Sequence, residues 1–285
     1  MSYNSVKKRY KVSKKLHEIQ KEIVDILKPH IPRASREAQL LIMAHLKVDE
    51  LWLMSHKDDN IENTEELFIW VNRRAKNEPL EYITQSVSFY SEEFFIQKGA
   101  LIPRPETELL IDDVLKNYPD FDAKVNFVEV GVGSGIISIL LAKKYKNATF
   151  IAVDISQEAL DIAKVNIEKF QLQTRIELRL GSLLEPLNEE IDYLVSNPPY
   201  IEDGVVLESN LSYEPQNALF GGKIGDEIIK ELLDEVLKRK IKFFSCEMGY
   251  DQKDKIQNYL KNKDYKSLEF YKDYSDFDRG STLKV

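Results

Sequence analysis

Apolar residues recur at three- and four-residue steps from Val12 to about Asn77, beginning with Leu16, Ile19, Ile23, Ile26 and Leu27, and this period predicts a small helical bundle. Pro29 and Pro32 end the first helix, since proline removes a backbone donor and clashes with the preceding turn. Ser35 is the expected N-cap of the next helix, ahead of Ala38, Leu41, Ile42 and Leu46, and Asn63 or Thr64 precedes a further run through Phe68, Trp70 and Val71. Between Tyr82 and Phe95 the period changes, and Val87, Phe89, Tyr90, Phe94 and Phe95 predict a β-hairpin. After Leu101, short β-rich segments alternate with helical ones, the rhythm of a parallel sheet covered by helices. Strands are expected over 125–130, 149–153, 175–180, 191–195 and 242–246, with crossover helices over 136–145, 157–170, 226–238 and 252–262 and a terminal hairpin from 265–271 and 281–285. The expected organisation is a helical domain over residues 1–80, a hairpin linker over 81–100 and an α/β domain over 101–285.

Composition narrows the class. A chain of 285 residues, 43% hydrophobic and 31% charged, has enough apolar content for a core in each of two domains. No apolar run reaches bilayer-spanning length, and no apolar segment follows the basic start as a secretory signal requires, so a cytoplasmic protein is expected. The lone Cys246 leaves no partner for an internal disulfide or a cysteine metal cluster, and the four histidines show no metal spacing. The net charge of −8 is uneven: residues 1–80 carry 15 basic and 12 acidic side chains, a balance of +3 that leaves −11 for the remainder. So acidic a balance argues against a protein whose main task is gripping the polyphosphate backbone of a nucleic acid; the six Lys or Arg within Met1–Lys15 read as a solvated helix start or as a contact with RNA on a ribosomal partner.

Candidate chemistry begins where the first long strand, ending Val128-Glu129-Val130, runs into Gly131-Val132-Gly133-Ser134-Gly135 and an apolar helix. Glycines let the loop turn sharply and approach a ligand with no Cβ in the way. The third glycine follows the second by two residues instead of three, which disfavours a dinucleotide, and no Lys followed by Ser or Thr comes next, which excludes a P-loop. Asp154, about twenty residues on at the end of the second strand, stands where a carboxylate accepts both hydroxyls of an unphosphorylated ribose; its structural alternative is a helix N-cap. Glu129 is placed near the amino end of a methionine moiety, whose carboxylate the following helix N-terminus can receive. The pattern fits S-adenosyl-L-methionine.

The fourth strand empties into Asn197-Pro198-Pro199-Tyr200 at the carboxyl edge of the sheet, where open α/β sheets bind ligands. Consecutive prolines fix the backbone and keep the Pro198 carbonyl out of a helix. With Asn197 it offers two acceptors for the N–H groups of a planar amide or aromatic amine, whose delocalised lone pair they can help to pyramidalise. Tyr200 can pack against that planar group.

With Ile102-Pro103-Arg104-Pro105-Glu106-Thr107-Glu108, Tyr213-Glu214-Pro215 followed by Ala218-Leu219, and the segment Asp276 to Arg279, these motifs resemble the PrmC/HemK glutamine methyltransferases over nearly the whole chain. The 102–108 stretch is the most family-specific; without the resemblance it reads as a Pro-rich linker into a helix capped at Thr107. The resemblance implies a seven-stranded Rossmann-like class I methyltransferase domain behind a helical domain that recognises the release factor. The implied substrate is the glutamine of a Gly-Gly-Gln loop in peptide-chain release factors. On the cofactor side it places Glu129, Gly131, Val132, Gly133, Ser134, Gly135, Asp154, Leu183, Asn197, Arg104 and Thr107; Asn197, Pro198, Pro199 and Tyr200 hold the glutamine amide. One departure stands out: many relatives have Gly-Asp after the third strand, while this chain has Gly181-Ser182, so adenine recognition shifts to the backbone around Leu183.

A monomer with no membrane and no nucleic-acid substrate is the resulting expectation. A ribosomal-protein glutamine methyltransferase is a close rival. An adenine amino-methyltransferase shares the planar nitrogen but would bring a basic recognition region. A noncatalytic module leaves the pairing of glycine loop and tetrapeptide unexplained.

Overall fold

The computed structural model describes residues 13–285, so most of the basic N-terminal arm, through Val12, lies outside the described residues. The chain divides into two compact units, one running up to Ser86 with Ser209–Tyr213 and the other holding Val87–Glu208 and Glu214–Val285.

In the first unit, β1 (Lys14–Lys15) pairs antiparallel with β2 (Asn60–Ile61), and five helices follow the apolar stripes: α1 (Leu16–Leu27), α2 (Ala34–Leu46), α3 (Glu50–Ser55), α4 (Glu65–Arg74) and α5 (Leu80–Thr84). Their buried faces meet through Leu16, Ile19, Ile23, Leu41, Leu67 and Phe68. The expectation of unbroken helix is corrected by the β1–β2 ladder, whose two-residue strands are too short to leave a periodic signal. Ser35 is not the N-cap: Arg33 holds that position and Ser35 lies in the first turn, because α2 begins at Ala34, which is buried one turn before Ala38. The helix capped as a side chain should cap it is α3, where Asp49 Oδ1 accepts from Trp52 N at 2.8 Å. Tyr82 is helical, buried in α5, and does not begin the hairpin. The Tyr213 hydroxyl donates to the Lys76 carbonyl, fastening Ser209–Tyr213 to this unit.

The hairpin consists of β3 (Ser86–Phe89) and β4 (Glu92–Phe95), with both turn residues, Tyr90 and Ser91, at positive φ. Such a turn favours Asn or Gly. Here Tyr90 is held instead by α6 (Thr107–Asn117): its N–H donates to Glu108 and its hydroxyl to Asp112.

The sheet of the second unit has seven strands in the order β10-β11-β9-β8-β5-β6-β7. β5 (Asn126–Val130), α7 (Ile136–Lys144), β6 (Thr149–Asp154), α8 (Gln157–Lys169) and β7 (Ile176–Leu180) wind to one side. The chain then returns to β8 (Tyr193–Ser196), on the other side of β5, and continues through α9 (Glu227–Arg239), β9 (Phe243–Glu247) and α10 (Lys253–Leu260) to the antiparallel β10 (Ser267–Lys272) and β11 (Asp278–Lys284). The reversal between β5 and β8 opens a crevice at their carboxyl ends. Phe150, Phe127, Tyr193 and Phe243 stack across β6, β5, β8 and β9 with centroids 4.9 to 5.2 Å apart, because parallel strand spacing matches ring-stacking distance. One apolar layer packs α6, α7 and α8 on the sheet, and another packs α9 and α10. Among the described residues no helix is long and apolar enough to cross a membrane.

Candidate active site

The loop between β5 and α7 places Gly131, Gly133 and Gly135 at positive φ, for two different reasons. A Cβ on Gly135 would meet Ala163 of α8 at 3.3 Å, so this glycine permits helix packing; a Cβ on Gly133 would meet no atom within 4 Å, so this one keeps a space open. That space is a cavity of about 330 Å³, lined by Glu129 to Ser134, Asp154, Ile155, Ser182, Leu183 and Asn197 to Pro199 among others. Asp154 shapes the loop: its Oδ2 accepts from Gly133 N at 2.9 Å and its Oδ1 from Ser156 N at 2.9 Å. The N-cap alternative for Asp154 does not hold, since Ser156 Oγ caps α8 by accepting from Ala159 N. Burial pushes the Asp154 carboxyl up, against the backbone N–H groups that lower it.

Glu129, fully buried, accepts from both the N–H and the hydroxyl of Ser138 in the first turn of α7. One of the helix N-terminal donors expected to await a ligand carboxylate is therefore taken by Glu129 itself. Burial first, and then the charge of Asp154, push the Glu129 carboxyl up to about 8, although the Ser138 bonds lower it. The open space at Gly133, the Asp154 carboxylate at the end of β6 and the buried Glu129 carboxyl together fit a nucleoside with a cationic tail.

β8 delivers the tetrapeptide, with Ser196 Oγ donating to Val130 O at 2.8 Å to tie the two strand ends together. Asn197 Nδ2 donates to Thr107 Oγ1 at 3.0 Å, and Thr107 Oγ1 donates to Glu247 Oε2 at 2.7 Å. Asn197 Oδ1 is left as the amide's acceptor, next to Pro198 on the cavity wall. Tyr200 does not line the cavity: it packs into the layer of α9 and its hydroxyl donates to Glu247 Oε1 at 3.0 Å. Pro199 O would lie 2.4 Å from a Cβ on Gly221, and Gln252 Nε2 donates to both Tyr200 O and Gly225 O, so the loop after Phe220 clamps the tetrapeptide.

Of the residues singled out in the sequence, Thr107, Glu129, Gly131 to Ser134, Asp154, Leu183 and Asn197 to Pro199 share this cavity, while Gly135, Arg104 and Tyr200 do not line it. Arg104 instead donates to Glu214 Oε1 at 2.6 Å, and Ile102 N to Glu214 Oε2, so the 102–108 and 213–215 motifs meet at one buried carboxylate. Thr107 is not the cap of α6; it is the first helical residue, with its hydroxyl committed to Glu247. Sequence reasoning missed Glu247, Gln252 and Asn166, whose amide donates to Phe95 O and Ser134 O and so holds the glycine loop. For Glu247 a signal existed: like Glu129 and Asp154, it stands at or next to the carboxyl end of an apolar strand.

Residues 105–214 match a family model described as methyltransferase small domain, and residues 18–84 match one described as PrmC N-terminal domain. The chain is 33% identical to the release factor glutamine methyltransferase of Clostridium acetobutylicum, covering 85% of this chain and 88% of the relative. It is 37% identical to that of Dictyoglomus turgidum with the same coverage, and 31% identical to that of Aquifex aeolicus, over 90% of this chain and 94% of the relative. Among solved structures, the hMettl16 catalytic domain in complex with MAT2A 3'UTR hairpin 6 superposes with a TM-score of 0.58 at 14% identity, covering 80% of this chain and 84% of the other; it is similar in fold alone.

Proposed function

Since the chain belongs to the release factor glutamine methyltransferases, we propose that it methylates the side-chain amide nitrogen of the glutamine in the Gly-Gly-Gln loop of peptide-chain release factors, working as a cytoplasmic monomer with S-adenosyl-L-methionine. The observation that supports this reading is the bond from Asn197 Nδ2 to Thr107, which leaves Oδ1 to accept from a substrate in the cavity that Asn197 lines. A glutamine amide supplies the matching donors.

The cofactor, when bound, supplies an electrophilic methyl group on a sulfonium. Gly131 and Gly133 would leave room for it, Asp154 would accept from its ribose hydroxyls, Glu129 would meet its cationic amino-acid end, and the backbone around Leu183 would border the adenine; all of these residues line the cavity. Asn197 Oδ1 and the Pro198 carbonyl hold the N–H groups of the acceptor amide. They would orient its nitrogen and favour pyramidal geometry, making its lone pair available to accept the methyl group, and the methylated nitrogen would lose its extra proton to water. Holding two reactants in register supplies much of the rate gain, so no strong base is needed.

Glu129 makes cofactor affinity depend on pH. Its carboxyl, pushed up to about 8, is largely protonated near neutrality, whereas a neighbouring cation favours the ionised form. Affinity measured by calorimetry is expected to rise by up to about tenfold per pH unit from roughly pH 6 toward 8, with Glu129→Gln flattening the slope. In the unliganded protein the sign reverses: the raised carboxyl supports folding below the ordinary glutamate range, and that support is lost as pH rises through about 8. A slope that persists in Glu129→Gln assigns it to another group.

The proposal is tested by incubating the protein with methyl-labelled cofactor and, side by side, a release factor, ribosomal proteins, DNA and RNA. Label is expected on the release factor; label on nucleic acid alone overturns the proposal.

A further inference from the structure

Glu247 is a buried carboxylate for which methyl transfer itself has no use. It is 1% exposed, and among the described residues no Lys, Arg or His forms an ion pair with it; Arg279, whose charge acts on it, is paired with Asp273. Burying a carboxylate without a cation is costly, so its retention calls for a reason. β9 pairs with β8 through Ser196 and Cys246, which brings Glu247 beside Asn197 and the tetrapeptide. Two hydroxyls reach it, from Thr107 at 2.7 Å and Tyr200 at 3.0 Å.

We propose that Glu247, acting through Thr107, is a positioning residue that fixes which end of the Asn197 amide faces the substrate, and that it thereby makes the site select an amide over a carboxylate. This deepens the glutamine proposal and rests on it. Burial raises the Glu247 carboxyl, and the Thr107 and Tyr200 hydroxyls and the charge of Arg279 act against that; in its ionised form it has no proton to give, so both hydroxyls donate to it. With its proton committed, Thr107 Oγ1 has only lone pairs left for its other neighbour. The atom of Asn197 at 3.0 Å must then be a donor, which is Nδ2. A half-turn of the amide would set Oδ1 against those lone pairs with no proton between them. Oδ1 is thus held toward the cavity, where it accepts from an amide N–H and repels a carboxylate of the same shape. A glutamine at position 247 breaks this logic, because its NH2 can donate to Thr107, whose proton then turns to Asn197 and invites the flipped amide.

The experiment compares binding of two peptides, one carrying the Gly-Gly-Gln loop and one with its glutamine replaced by glutamate, by calorimetry with S-adenosylhomocysteine saturating. The wild type is expected to prefer the glutamine peptide by about a hundredfold or more, as sites built around a specific hydrogen bond do. In Thr107→Val and Glu247→Gln that ratio is expected to fall at least about tenfold, roughly 1.4 kcal/mol, whereas Thr107→Ser, which keeps the hydroxyl, retains the wild-type ratio. Thermal melting accompanies each variant. Should Glu247→Gln fail to fold, Thr107→Val decides alone, since valine matches threonine in volume at the cavity wall. An unchanged ratio, with both peptides weakened in parallel, overturns the inference and leaves Glu247 as structural support. A wild type that transfers no methyl to the glutamine peptide overturns the glutamine proposal instead, and this inference with it.

Discussion

Asn197→Ala is expected to lower kcat/KM for methyl transfer by about a thousandfold, some 4 kcal/mol, the scale at which removing one preorganised polar contact to a reacting group is felt. Cofactor affinity in the same variant should stay within about tenfold, roughly 1.4 kcal/mol. The difference follows from position. Asn197 follows β8 next to Thr107, while the loop and the carboxylates assigned to the cofactor lie at the carboxyl ends of β5 and β6. Alanine leaves Thr107 without its donor but keeps the Thr107–Glu247 bond and the Ser196–Val130 bond, so the strand ends stay where they are. Single-turnover rates and calorimetry on one preparation separate the two quantities. If cofactor binding is abolished as well, Asn197 is chiefly a cofactor residue and the amide-holding role fails.

Gly133→Asn is expected to weaken cofactor binding by at least about a hundredfold, roughly 2.7 kcal/mol, with little change in stability. Asparagine tolerates the left-handed φ of +53° found at this position better than other side chains, so the backbone need not move. Its Cβ meets no protein atom within 4 Å, and the side chain therefore enters the cavity itself. Gly135→Asn provides the contrast: there the Cβ runs into Ala163, and the loss should appear in the melting temperature. Intact affinity in a folded Gly133→Asn protein would mean that the cofactor lies elsewhere.

These residues were legible in the sequence to different degrees. The alternation of strands and helices after Leu101 was plain because each strand is a short apolar run bounded by turn residues, and β5, β6, β8 and β9 form within two residues of the expected bounds. α7 was clear for another reason, being apolar on every side and wedged between sheet and neighbours. The β1–β2 ladder and the Tyr90-Ser91 turn were invisible, since both depend on distant partners: Lys14 pairs with Ile61, and Tyr90 is held by α6. At the site, the glycine loop, Asp154 and the tetrapeptide announce themselves by local chemistry. Glu247 announces only its place at the end of an apolar strand; its role comes from Thr107, far away in the chain, and from Tyr200. Arg104 shows the opposite failure: a conspicuous cation in a conspicuous motif turns out to be spoken for by Glu214.

The proposed reaction forms one bond, between a methyl group and a glutamine side-chain nitrogen. Peptide mapping of a release factor after incubation with the protein and S-adenosyl-L-methionine tests that directly. A single added methyl on the glutamine of the Gly-Gly-Gln loop, absent when that glutamine is replaced by asparagine, is the predicted result; methylation at any other residue, or on nucleic acid alone, would contradict it.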